Sequence, residues 1–342
     1  MLVWILQTGE PLHIDNDNFR PMRAMNLSNK LVDSGHKVIL WSSAFVHQTK
    51  KHRSKKYQTH KVNDNLEIRL IPSCGYKKNI SLVRLLDHFQ MAWNLKNLLK
   101  KEKIIPDIAF IGYPPIETAF VMSGWLKRRN VPVLLDIKDL WPSIFVNALP
   151  KKIKLIAKIL FYPYFYLSKE TIRKVDGIST MAKGFLKWSY NYANRSSSKN
   201  DIIVRLASCI QTTEYQKLKE ARQWWKEQGV IHDKPLVFFA GTFSNSFDFK
   251  NVYEAAKTAK DCQFILCGEG PILDEVKDLM SELPNVFFPG WVDKIKLEAL
   301  GKMSIAFLAP YKNTEDFILS IPNKIVDALS LSLPILSPLQ GE

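Results

Sequence analysis

The sequence predicts an α/β protein made of two doubly wound, Rossmann-like domains facing a cleft. Three observations carry this. Short apolar runs alternate with helical patterns, as a parallel sheet wrapped by helices requires. The length of 342 residues suits two domains. The alternation also breaks at one polar helical stretch and then restarts. In the first half, strands are expected at 2–6, 37–41, 66–71, 108–111, 133–137, 177–180 and 202–204, with helices such as 22–34 and 81–101 between them. Residues 213–234 are the expected hinge, polar and helical, punctuated by Gly229 and followed by Pro235. The second half restarts with strands at 236–240, 264–267, 286–288, 305–308 and 335–337. The domains are thus 1–212 and 235–342, and a ligand is expected in the cleft at the strands' carboxyl ends. The chain stops just past a strand at Gly341-Glu342, so the second domain is expected to be incomplete. No internal repeat is present, and the low-complexity patches are a basic loop at Lys50–Lys56 and Arg195–Ser198.

Composition removes several classes. No stretch nears the roughly 20 apolar residues of a membrane span, and the N-terminus lacks a signal peptide's basic region. Cys74, Cys209, Cys262 and Cys267 form no CxxC and read as free thiols of a reducing cytoplasm. The seven histidines form no HxH or HExxH, so no metal is expected. The net charge of +15 is uneven. Residues 1–232 hold 38 Lys and Arg against 18 Asp and Glu, while 233–342 hold 10 against 15. One half therefore faces an anionic partner, either nucleic acid or an anionic membrane surface.

The most informative segment runs from Ser320 to Ser337. Pro322 is read as the first residue of a helix, where its missing N–H does no harm. Lys324 in that first turn opposes the helix dipole, which makes sense if the helix N-terminus and the lysine share an anion. Asp327 lies three residues on, on the same face, able to accept hydroxyl protons. The pair suits a sugar-nucleotide clamp, and equally a plain Lys–Asp surface pair. Glycine turns follow two strands: Gly241-Thr242, and Gly268-Glu269-Gly270. Both let backbone approach a ligand closely, and both suit ordinary turns of this fold. Neither is a GxGxxG or a P-loop, so nicotinamide cofactors and ATP hydrolysis lack their signatures. A third turn, Gly290-Trp291-Val292, offers a ring and backbone groups to a base, or simply ends a strand.

In the first half, Arg20 and Arg23 flank a helix start and invite an anion, unless they belong to a solvated basic loop. Asp139 follows a buried strand, where catalytic carboxylates of open α/β sheets are found; a helix-capping or turn aspartate reads the same way. Asp15-Asn16-Asp17 is a DxD but lies in an N-terminal polar loop, not after a mid-domain strand. Segment 151–175 mixes Lys151, Lys152, Lys154 and Lys158 with aliphatic and aromatic residues. That pattern suits an anionic membrane surface, or a surface helix packed on the sheet.

Five stretches together resemble a bacterial retaining glycosyltransferase of family 4 with the GT-B fold, in the branch that makes capsule and O-antigen sugars. They are Arg20-Pro21-Met22-Arg23 with Ser34-Gly35-His36-Lys37-Val38; Asp136 to Pro142; Ala240-Gly241-Thr242 through Asp248; Cys267 to Pro271; and Pro322-Asn323-Lys324-Ile325 with Asp327. The resemblance implies a hexosyl- or aminohexosyl-transferase working in surface polysaccharide synthesis. Its nucleotide-sugar donor would lie in the second domain and a polyprenyl-diphosphate-linked or saccharide acceptor on the first. Lys324, beside Asn323, would contact the donor diphosphate, Asp327 the ribose and Gly290 to Val292 the base. Asp139 would face the acceptor with Arg20, Arg23 and Asp136. The resemblance further implies a cytoplasmic protein held at the inner face of the cytoplasmic membrane, with no cofactor. Two departures stand out. The family's acid pair is separated by seven residues, and the partner position of Asp327 is Leu319, with Glu315 and Asp316 nearby. Asn245 stands near the place of a common basic residue. The alternatives are an epimerase of the same fold, or an inactive remnant that binds nucleotide or anionic membrane. A nucleic-acid partner is disfavoured by the acidic second half.

Overall fold

The computed structural model describes residues 1–15, 21–79, 81–147, 149–206, 213–230 and 233–340. The chain divides into two compact units, Met1–Val204 and Arg205–Glu342. The first contains β1 (Leu2–Leu6), α1 (Arg23–Asp33), β2 (Lys37–Ser43), β3 (Phe45–Val46), β4 (Lys51–His52), β5 (Gln58–Asn63), β6 (Leu66–Ile71) and α2 (Leu82–Lys101). It continues with β7 (Ile108–Tyr113), α3 (Ile116–Lys127), β8 (Val133–Ile137), α4 (Ser143–Asn147), α5 (Lys154–Leu160), α6 (Tyr162–Lys174), β9 (Gly177–Thr180), α7 (Lys183–Ala193) and β10 (Ile202–Ile203). The second contains α8 (Tyr215–Glu227), β11 (Leu236–Ala240), α9 (Phe249–Thr258), β12 (Gln263–Cys267), α10 (Leu273–Leu279), β13 (Val286–Gly290) and α11 (Lys294–Met303). It ends with β14 (Ala306–Leu308), α12 (Glu315–Ile318), α13 (Asn323–Ser330) and β15 (Ile335–Leu336).

The first sheet has the order β10-β9-β8-β7-β1-β2-β6-β5, parallel except for β5. Its inner strands, such as β1, β2 and β8, read as apolar runs because both faces are covered. Alternate residues of β1 go to opposite sides. Trp4 and Leu6 join a core that includes Met91 and Leu95 of α2, Ala119 of α3 and Ile172 of α6. Val3 and Ile5 join a smaller core with Ala24 of α1. Trp4 stacks on Trp125 with centroids 5.4 Å apart and tilts against Trp41 at 5.3 Å. The second sheet has the order β13-β12-β11-β14-β15, all parallel, over one core centred on Phe238, Phe239, Ile265 and Leu266. Each unit is therefore a Rossmann-like layer sandwich.

Four local expectations change. The basic segment after Thr49 is not a low-complexity loop: β3 and β4 form a hairpin there, and Arg53 is buried against Asp15 at 2.5 Å while also donating to Ser43 O. Asp15 of the discounted DxD is thus a structural anion, and Asp17 lies outside the described residues. β5 is an antiparallel edge strand that the sequence pattern did not announce. Pro322 caps α13 from outside rather than starting it. Segment 151–175 is not one helix. A 3-10 turn (Lys151–Ile153) leads into α5, and α6 restarts at Tyr162 with Pro163 in its first turn. In residues 213–234, read as polar and helical, lies α8, which packs on α11 and buries Trp225 in the second core. Among the described residues, no helix is long and apolar enough to cross a membrane.

Candidate active site

Both units change direction at a switch point, and the predicted residues collect there. In the second sheet, β11 and β14 are neighbours although β12 and β13 lie on the other side of β11. Ligands of open α/β sheets bind at the carboxyl ends of such strands. The turns there are stitched by backbone: Gly241 N donates to Cys267 O at 2.9 Å, Gly268 N to Gly290 O at 2.7 Å, and Phe243 N to Glu269 O at 2.8 Å. Gly268 adopts φ +132°, and a Cβ there would stand 1.9 Å from Gly241 O. No side chain fits, which explains the residue on packing grounds alone.

Lys324 reaches this edge from the first turn of α13. Its Nζ donates to Ala240 O at 2.8 Å and lies over the Phe239 and Phe247 rings. A Cβ on Gly241 would meet that ammonium at 1.9 Å, so the glycine makes room for it. Burial lowers the Lys324 pKa, and the nearby charge of Asp327 pulls it back up. A half-buried ammonium whose three donors include one bond to a carbonyl is chemically suited to a phosphate oxygen. Lys324 points into the strand edge rather than into solvent, so it is not a plain surface pair with Asp327. Asn323, Thr242 and Trp291 are exposed, Trp291 at 71%, and Val292 is buried. Gly270, with φ +158°, packs on the Phe243 backbone. The structure thus gathers the glycine turns, Lys324 and Asp327 around one strand edge.

In the first unit the switch lies between β1 and β7. A pocket of about 220 Å³ opens there, lined by the loop after β1 (Gln7 to Glu10), by Pro114 and Pro115 after β7, and by Lys138 and Asp139 after β8. α2 closes one side with Arg84, Asp87, His88 and Met91. Asp139 is therefore in the pocket wall. Arg23 and Asp136 pair with each other instead, at 2.9 Å, with Asp136 only 1% exposed. Arg23 also donates to Ser179 Oγ and to Val204 O, both at 2.8 Å. The anion invited to the start of α1 is supplied internally: Glu10 accepts from Ala24 N at 2.8 Å and pairs with Lys138. Arg23 and Asp136 are accordingly a buried strut beneath the pocket. Burial raises the Asp136 pKa against the opposing pull of Lys138 and Arg23. Arg20 lies outside the described residues.

Several pocket residues carried no sequence signal. Arg84 lies over Trp141 at 5.0 Å and Tyr76 at 5.5 Å. His47 Nδ1 bonds Tyr76 OH at 2.5 Å, and burial with the charges of Lys50 and Arg84 pushes its pKa down to about 4. Burial with the Arg84 charge pushes His88 down to about 3. Behind His88, Glu117 of α3 accepts from Tyr164 OH, and burial pushes its carboxyl up to about 7. No local motif marks these residues. They come from α2, α3, α6 and the loops after β3, β6 and β8, and meet only in the folded unit. Among the described residues, no cluster of His, Cys, Asp and Glu could hold a metal ion.

Residues 234–341 match the family model described as Glycosyl transferases group 1. No curated protein sequence matches the chain. Among solved structures, the chain is similar to sucrose-phosphate synthase from Thermosynechococcus elongatus. Identity is 11% and the TM-score 0.69, over 99% of this chain and 82% of that one. It is also similar to WaaG, a glycosyltransferase involved in lipopolysaccharide biosynthesis, at 12% identity and TM-score 0.61, over 100% and 82%. HepE from Anabaena in complex with UDP matches at 11% identity and TM-score 0.61, over 99% and 81%. The fold is GT-B, two Rossmann-like domains, and with the family match it supports a group 1 glycosyltransferase.

Proposed function

We propose that the protein transfers a hexosyl or aminohexosyl group from a nucleotide sugar to a polyprenyl-diphosphate-linked or saccharide acceptor, with retention, in surface polysaccharide synthesis. The observation that carries this reading is Lys324. Its ammonium is held at the carboxyl edge of β11, in space kept open by Gly241, at the N-terminus of α13. There it would take the donor diphosphate and stabilise the charge that grows on it as the glycosidic bond breaks. Asp327 would hold ribose hydroxyls and Gly290 to Val292 the base. Asp139 would meet the acceptor hydroxyl. Departure of the diphosphate and attack of the acceptor on the same face would retain configuration without an enzyme nucleophile or a metal. The UDP complex of HepE and the lipopolysaccharide role of WaaG support this donor chemistry and pathway class.

A membrane-borne acceptor fits the first unit. From Leu140 to Lys169 the sequence has no Asp or Glu. In α5, Leu155, Ile156, Ile159 and Leu160 are 66–74% exposed, whereas a helix packed on the sheet would bury them. We infer peripheral attachment to the inner, anionic face of the cytoplasmic membrane through this lysine-flanked helix. The test of function is incubation with a panel of nucleotide sugars and lipid-linked acceptors. Transfer with release of the nucleoside diphosphate, and an unchanged anomeric configuration by NMR, is expected. Epimerisation of the donor without an acceptor would replace this reading.

A further inference from the structure

α2 has two faces with different tasks. Arg84, Asp87, His88 and Met91 follow helical spacing and turn toward the pocket. Leu82, Leu86, Phe89 and Trp93 follow the same spacing on the other side and are 60–76% exposed. Four large apolar side chains in one stripe is not how a surface helix meets water. The charges around the stripe have one sign. Between Ile68 and Lys101 the only acid is Asp87, which is buried and accepts from Gly75 N at 2.6 Å. Lys77, Lys78, Lys96 and Lys100 are exposed. The opposite, pocket-facing side of α2 is tied to α4 and α5. Arg84 and His88 contact Trp141, Trp141 meets the Phe145 ring of α4 at 4.5 Å, and α4 packs on α5.

We propose that the outer face of α2 inserts into the interface of an anionic lipid bilayer, as a second docking element beside α5. Lysine-bordered apolar stripes suit anionic headgroups with acyl chains beneath them. A second copy of the chain fits worse, because two such faces would oppose like charges. Docking through α2 would set its inner face, and so the pocket, at the bilayer surface where a lipid-linked acceptor is presented. The inference rests on the membrane part of the proposed function and not on the donor site.

The test uses the full chain with vesicles of phosphatidylcholine alone and of phosphatidylcholine mixed with phosphatidylglycerol. Leu86→Glu and Phe89→Glu lie on the exposed face, so folding should be retained. Each should lower partition into mixed vesicles by about tenfold, the worth of burying one large apolar side chain. Lipids brominated on their acyl chains should quench wild-type tryptophan emission, and Trp93→Phe should remove that quenching. Unchanged partition of both Glu variants, or unchanged quenching in Trp93→Phe, overturns the proposal. Loss of binding only when Lys152, Lys154 and Lys158 become Glu would leave α5 as the sole anchor and would equally overturn it. A wild-type dimer that the α2 variants convert to monomer would assign the face to self-association instead. UDP binding measured by calorimetry on the same variants reports the donor site separately.

Discussion

Replacing Lys324 by Met separates its two roles. In the ligand-free protein the ammonium is half-buried, and its pKa is lowered by that burial. Met removes this desolvation cost, keeps the aliphatic stem against Phe239 and Phe247, and leaves the Ala240 carbonyl short of one donor. A hydrogen bond from a charged donor contributes about 1.5–3 kcal/mol, and losing desolvation offsets much of it. Stability without ligand should therefore change by less than about 1 kcal/mol. With a diphosphate bound, nothing offsets the loss. Removing a charge-assisted bond of about 1.5–3 kcal/mol weakens affinity roughly 10- to 150-fold. The thermal-shift consequence follows. Ligand at about 100 times its Kd stabilises the folded state by about 2.7 kcal/mol, and after a hundredfold loss of affinity the same concentration gives only about 0.4 kcal/mol. Calorimetry with UDP, GDP and ADP identifies the tightest nucleotide for the wild type, and the variant is then measured with it. Equal affinity in the two proteins would refute the role given to Lys324. A variant that unfolds would instead make the lysine structural, against the offset worked out here.

Glu117→Gln should change the pH dependence of the first unit. The folded pKa of Glu117 is about 7 against an ordinary 4.5, so the folded state keeps a proton that the unfolded chain releases. Its stabilisation is full below the unfolded value and fades as pH rises to the folded one. Gln retains an acceptor for Tyr164 OH and has nothing to ionise, so its advantage over wild type should be near zero at about pH 4 and about 3 kcal/mol at about pH 8. Denaturant unfolding across that range checks it, and a pH-independent difference would sink the assignment. Arg23→Ala should destabilise the first unit by about 3–5 kcal/mol because it strands buried Asp136. The double change with Asp136→Asn should recover part of this, and strict additivity would mean the pair does not couple. Gly268→Ala should cost about 2 kcal/mol or more and abolish nucleotide binding, since its Cβ meets the Gly241 carbonyl at 1.9 Å and its φ is +132°. A crystal structure of that variant with an unshifted Gly241 would contradict this.

Much of the fold was legible because parallel strands covered on both faces leave continuous apolar runs. Val133–Ile137 and Leu236–Ala240 coincide with the strands read from sequence. β5 was not legible, because Gln58–Asn63 is an exposed polar edge whose one buried neighbour is β6. Arg53 read as part of a basic low-complexity loop because its partner, Asp15, stands 38 positions away. α5 shows a different limit. Its alternation of lysines and aliphatics announced a helix, yet periodicity fixes only that the apolar residues share a face. Which neighbour covers that face, if any, is decided by tertiary packing. The candidate sites divide in the same way. Lys324 was legible because a cation in a helix's first turn is locally costly, and the structure supplies the carbonyl and the glycine that make room for it. Arg23 carried the same local cost, but its counter-ion is the buried Asp136 of β8, while Glu10, from the loop after β1, takes the N–H of Ala24 in the first turn of α1. One local anomaly thus has two resolutions, a strand-end carbonyl or an internal counter-ion. The difference lies in what the sheet places opposite the cation: the β8 carboxylate of Asp136 for Arg23, and a strand-end carbonyl beside glycine turns for Lys324.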